Sequence, residues 1–186
     1  MISCWDFPDA ENLLPGAARI TPHISALKQR CYEHDVPVIY ANDNRGRWRS
    51  HFTSLVQDAM AAGHLAARIT QALMPGEEDY FVLKPQLSGF FATPLEQLLQ
   101  HLGVHRIIVT GVASDQCVLH TVADARMRGL DAVVPRDCVA SQTTRRNNAV
   151  LLQVQETHKL QITPGAQVRL AAPSPRRRKA ASTVGD

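Results

Sequence analysis

Gly111-Val112-Ala113-Ser114-Asp115-Gln116-Cys117-Val118 carries a cysteine across a change of backbone periodicity. Before it, Arg106-Ile107-Ile108-Val109-Thr110 has the β-branched bias of a buried strand. After it, Leu119 to Arg128 reads as a helix that Gly129 ends. The chain therefore turns from strand to helix at Cys117. The first turn of a helix offers unbonded N–H groups and the positive end of the helix dipole, and both favour a thiolate over a thiol. Such a turn suits a nucleophile.

Working outward, Val36 to Ala41 (VPVIYA), Tyr80 to Leu83 (YFVL), Ala132 to Val134 and, more weakly, Leu160 to Ile162 read as further strands. Helical patterns lie between them. Ile20, Ile24, Leu27 and Cys31 recur at spacings of four, three and four, which makes one apolar helix face; Pro22 belongs in its first turn or kinks it. Thr93-Pro94-Leu95-Glu96 reads as a helix start, with Thr93 as cap, Pro94 in the first helical position and Glu96 closing a capping box. Leu95, Leu98, Leu99 and Leu102 then face the core, and Gly103 stops the helix. Val118, Val122 and Met127 mark the buried side of the next helix, and Ser141 opens a last one running to about His158. Alternating short strands and helices predict an α/β fold, a three-layer doubly wound parallel sheet with helices on both faces. Ligands in such sheets bind beyond the carboxyl ends of the strands, and Cys117 follows one of those ends directly.

With 186 residues the chain is sized for one domain. No run reaches the length of a membrane span and no signal pattern opens the chain, so a cytoplasmic protein without a membrane partner is the expectation. The net charge of +3 is local: Arg176, Arg177, Arg178 and Lys179 against Asp186 account for it, which leaves sixteen basic and sixteen acidic residues in 1–173. A nucleic-acid partner is therefore not expected, and 164–186 reads as a flexible basic tail behind a domain at 1–163. Cys4, Cys31, Cys117 and Cys138 are widely spaced with no zinc-type motif, so disulfides are not expected.

The order of several motifs resembles the isochorismatase-like cysteine hydrolases, a family that includes isochorismatases, nicotinamidases, N-carbamoylsarcosine amidases and ureidoacrylate hydrolases. Phe7-Pro8 with Leu13-Leu14 is similar to the family's first loop. Pro37 to Asn44, with Gly46 and Trp48, is similar to its second strand and following loop. Leu83-Lys84-Pro85 with Ser88, Phe90, Thr93 and Leu95 resembles its lysine segment. Gly111 to Val118, then Thr121, Asp124, Ala125 and Gly129, resembles its nucleophile segment, and Asp137 to Ser141 the segment after the fifth strand. The resemblance implies a hydrolase of small amide-like (C–N) substrates with an Asp–Lys–Cys triad, in which Cys117 is the nucleophile and Lys84 the cation beside it. It further implies a cis peptide at Val112–Ala113, an oxyanion hole from the backbone N–H groups of Ala113 and Cys117, and a homo-oligomer acting on a small molecule without a cofactor.

One departure stands out. The fit puts the family's catalytic aspartate immediately before Met1 and leaves the first, central strand outside the chain. The expectation is a natural start roughly 10–30 residues earlier, one strand plus a short lead. Asp6 and Asp9 lie several residues too late to replace that acid and read as turn-forming loop residues beside Pro8. The loop from Asn42 to His51 lacks the paired histidines of nicotinamidase-like members, so no catalytic metal is expected. Phe7, Trp48, Phe90 and Phe91 are candidates for a pocket wall. Arg45, Arg47 and Arg49 are candidates for recognising a substrate carboxylate. Two other readings stay open: a non-catalytic binding or scaffold protein of the same fold, and a thiol redox protein pairing Cys117 with Cys138. A dinucleotide-binding enzyme is disfavoured because the chain has no GxGxxG.

Overall fold

In the computed structural model, residues 1–44, 48 and 51–170 are described. Arg45, Arg47, Arg49 and the basic run at 176–179 lie outside the described residues. The elements are α1 (Ala10–Glu33), β1 (Ile39–Asp43), α2 (Phe52–Ala61), α3 (His64–Ala72), β2 (Tyr80–Lys84), α4 (Leu95–His101), β3 (Arg106–Ile108), β4 (Gly111–Val112), α5 (Leu119–Met127), β5 (Asp131–Val133), β6 (Val139–Ala140) and α6 (Thr144–Glu156). A π-helical turn at Ser114–Val118 joins β4 to α5, and a 3-10 turn sits at Gly165–Gln167. The alternation is α/β as the periodicity predicts.

Every strand pairing among the described residues is parallel. β1 pairs with β2, from Ile39 opposite Tyr80 to Asp43 opposite Lys84. β3 pairs with β5 and β4 with β6. The expected fifth strand near Leu160 is reduced to a single bridge, Val133 to Gln161. In parallel strands, alternate residues direct their backbone groups to opposite sides. Tyr80 N–H donates to the Val38 carbonyl and Asn44 N–H to that of Lys84. Ile39, Ala41 and Asp43 therefore turn their backbone away from β2. Val109 N–H donates to Val133 and Asp131 N–H to His105. Arg106, Ile108 and Thr110 therefore turn away from β5. Between these two edges lies a cavity of about 900 Å³. Among the described residues no strand stands between β1 and β3. The leading segment closes one end of the cavity: Asn42 Nδ2 donates to the Ile2 carbonyl, and Met1 packs on Gly111. A side chain at Gly111 would put its Cβ 3.3 Å from Met1 Cγ, and φ there is +104°, so glycine is required twice over.

α1 supplies much of the core. The predicted stripe Ile20, Ile24, Leu27 and Cys31 is buried, and Leu13 and Ala17 extend it toward the N-terminus. The helix consequently begins ten residues before Ile20, and Pro15 and Pro22 both lie inside it rather than at its start. Burial of that stripe outweighs the roughly 3 kcal/mol that each interior proline costs. Replacing Leu27, only 4% exposed, by alanine is expected to lower stability by about 2–5 kcal/mol in urea unfolding. Leu152→Ala, at a site 60% exposed, is expected to change it by less than about 0.5 kcal/mol.

α1 also anchors the strands that carry the site. Lys28 Nζ donates to Tyr40 Oη at 2.7 Å and pairs with Asp79 at 3.2 Å. Tyr32 Oη donates to the same carboxylate, and Tyr40 Oη to the Leu73 carbonyl. Burial and the nearby Asp79 charge raise both tyrosine hydroxyls well above their ordinary range. The lock joins α1, β1 and the segment before β2. The same C-terminal turns of α1 hold the chain beyond residue 163: Arg30 donates to the carbonyls of Gly165 (2.7 Å) and Val168 (2.9 Å), and Val168 is buried. The packed chain thus extends through 164–170, which the sequence reading gave to the tail. No helix among the described residues is long and apolar enough to cross a membrane.

Candidate active site

The carboxyl ends of β1, β2 and β4 bring three side chains together. Parallel register sets Asp43 beside Lys84 on one face of the sheet. β4 ends at Val112, the Val112–Ala113 peptide bond is cis, and the π-helical turn that follows carries Cys117. Lys84 is 3% exposed. Its ammonium forms a close ion pair with Asp43, donates to the Gln86 carbonyl at 3.2 Å and to Cys117 Sγ at 3.3 Å. All three ammonium protons therefore have acceptors. A buried cation is tolerated only with a counter-charge, and Asp43 provides it.

The nucleophile turn is braced from both sides. Thr121 Oγ1 donates to the Cys117 carbonyl at 2.7 Å and accepts from Gly89 N–H at 2.9 Å. Asp115 accepts from the Ser141 hydroxyl and from Arg146 at 2.7 and 2.6 Å, which ties the turn to the start of α6. Cys117, Gln116 and Gln142 line the cavity between the sheet edges. An electrophile in that cavity meets the half-buried sulfur directly.

The remaining cysteines differ in kind. All four are free thiols. Burial raises Cys31, and burial together with the adjacent Asp137 carboxylate pushes Cys138 up to about 12. Both stay protonated near neutrality and are poor nucleophiles. Cys138 Sγ packs against Asp137 and beneath Gly165, where an added Cβ would stand 2.9 Å from it. That packing gives no support to a redox pair with Cys117.

Of the four aromatic candidates, Phe7 lines the cavity. Phe90 is a core residue, 5% exposed, covered by the Arg128 guanidinium 4.8 Å from its ring centre. Phe91 and Trp48 are exposed and outside the cavity lining. Asp6 and Asp9 are exposed residues at the cavity rim. Among the described residues no cluster of histidine, cysteine and carboxylate side chains could hold a metal ion. The sequence reading missed Asp43. Its only signal was an acid at the end of a predicted strand, and its meaning depends on β2 being the neighbour.

Residues 3–164 match the family model described as the isochorismatase domain. The chain is 34% identical over 168 residues, 90% of its length, to an uncharacterized isochorismatase family protein, YaaI, of Bacillus subtilis (strain 168), and spans 92% of that protein. It is 25% identical over 154 residues, 76% of its length, to the N-carbamoylsarcosine amidase of an Arthrobacter species, and spans 57% of that enzyme. Among solved structures it resembles an isochorismatase family protein from Desulfovibrio vulgaris, with a TM-score of 0.68 at 22% identity, covering 87% of this chain and 88% of the other.

Proposed function

We propose that this chain, which belongs to the isochorismatase family, is a hydrolase of small amide-like molecules with the Cys117 thiolate as nucleophile and Lys84 as the cation beside it. The observation that carries the reading is the 3.3 Å contact between a buried ammonium and a half-buried sulfur on the wall of a cavity. The amidase name of the Arthrobacter relative supports C–N chemistry over other hydrolyses.

In this mechanism Sγ attacks the substrate carbonyl carbon, a C–S bond forms, and the carbonyl electron pair moves to oxygen. The N–H groups of Ala113 and Cys117 hold that oxyanion. Collapse breaks the C–N bond, and the proton originally on the thiol ends on the departing amine. Water then attacks the thioester, the acid leaves, and the thiol is restored. The substrate is a small molecule, and a homo-oligomer belongs to the same reading.

The test is release of amine or ammonia from carboxamides, ureides, N-carbamoyl amino acids and nicotinamide-like compounds, with intact-mass detection of an acyl adduct on Cys117. Turnover with an adduct supports the mechanism. Binding of these compounds with neither adduct nor turnover supports a non-catalytic protein of the same fold instead.

A further inference from the structure

We infer that Asp43 is a positioning residue that sets the charge state of Cys117 by sharing the Lys84 ammonium. The inference rests on Lys84 being the cation of Cys117, and it does not depend on turnover. The side chain of Asp43 is 60% exposed, whereas that of Lys84 is 4% exposed. The carboxylate therefore stays hydrated on one side while it neutralises the buried ammonium from the other. Lys84 at rest already has its counter-ion. A thiolate on Cys117 is a second anion on one cation, and the trio then carries a net negative charge. Were Asp43 uncharged, the thiolate would be the sole anion hydrogen-bonded to that ammonium among the described residues. Asp43 thus holds Cys117 toward the thiol in the free protein, against the dipole of the helix that follows.

The other charged groups around the cavity are engaged elsewhere or stand at its rim. Lys28 of α1 is paired with Asp79, Arg106 of β3 with Asp131, and Asp115 of the nucleophile turn with Arg146. Asp6, Asp9 and Arg169 line the cavity as well. The Met1 amino group lies within the field of Asp43, Cys117 and Lys84; burial holds it toward its neutral form, against the pull of the Asp43 and Cys117 charges. Only Asp43 shares a hydrogen-bonded cation with Cys117 among the described residues.

Asp43→Asn keeps an oxygen of the same shape for Lys84 and removes the charge. The experiment measures Cys117 alkylation by iodoacetamide across pH 5–9 in the full chain, with peptide mapping to assign the site. The expected result is alkylation about 3–10-fold faster at pH 6, the effect of one partly screened charge near a thiol. The whole curve moves to lower pH, and Asp43→Glu returns it to the wild-type position. Asp43→Ser provides a second neutral variant should the asparagine protein fold poorly. A purely structural Asp43 changes the melting temperature and leaves the pH curve in place, and that outcome overturns the inference. So does slower alkylation at pH 6 in a folded neutral variant. Failure of the hydrolase reading appears separately, as absent turnover, because alkylation requires no substrate.

Discussion

Cys117→Ala is expected to lower kcat/KM on any amide substrate by about 10⁴-fold or more, because the substitution removes the atom that forms the covalent intermediate. The residual rate comes from cavity binding and the main-chain donors alone. Sγ is half-buried and among the described residues takes part in one hydrogen bond, from Lys84, so the loss is not an unfolding effect. Melting temperatures of the two proteins are expected to agree within a few degrees, and the acyl adduct seen by mass spectrometry disappears. Wild-type turnover in the alanine protein would remove Cys117 from the mechanism entirely.

Lys84→Met is the second large effect. Methionine matches the length of the lysine stem but withdraws the positive charge from both Asp43 and Cys117. Turnover is expected to fall about 10²–10⁴-fold, the range for loss of a group that governs proton placement on a nucleophile. Alkylation of Cys117 at pH 7 is expected to slow by about 10-fold or more, since no ammonium remains to favour the thiolate. The direction is opposite to that of Asp43→Asn, and the pair of variants brackets the wild-type curve. Stability argues against a folding explanation. Asp43 loses its partner but is mostly hydrated, and a buried ammonium is replaced by an apolar group of similar volume. Thermal denaturation beside the kinetics separates the two effects.

How far the sequence reaches can be judged from particular residues. Cys117 stands out in the sequence because it sits at a strand-to-helix turn, whereas Lys84 at a strand end stands out only through the resemblance of Leu83-Lys84-Pro85 and Ser88 to the family's lysine segment. The α1 stripe is legible because four buried residues repeat at helical spacing. Its true start is not, since prolines at 15 and 22 signal a break that packing overrides. β4 and β6 are two residues each, too short for any periodicity to register. Met127, expected on the buried side of α5, is 76% exposed, and Ala125 is fully buried there instead. At α4 the cap residue is Pro94, Thr93 accepts from Leu95 N–H, and Glu96 pairs with Arg128 instead of closing a capping box. Glu96 and Arg128 are 32 positions apart, so no local rule registers the competitor. Asp43 fails for the same reason. Its partner is 41 positions away, and only the register of β1 on β2 brings the two together.

The two sheet edges facing the cavity make the backbone of this protein uneven along single strands. Within β1, the amides of Tyr40 and Asn42 face β2, while those of Ile39, Ala41 and Asp43 face the cavity. Deuterium uptake followed residue by residue should therefore rise and fall with a two-residue beat, and Ile108 and Thr110 should behave like Ala41. The unpaired main-chain groups of β1 and β3 thus face an internal cavity, which shields those two edges, though not the far edge of β2, from pairing with another chain.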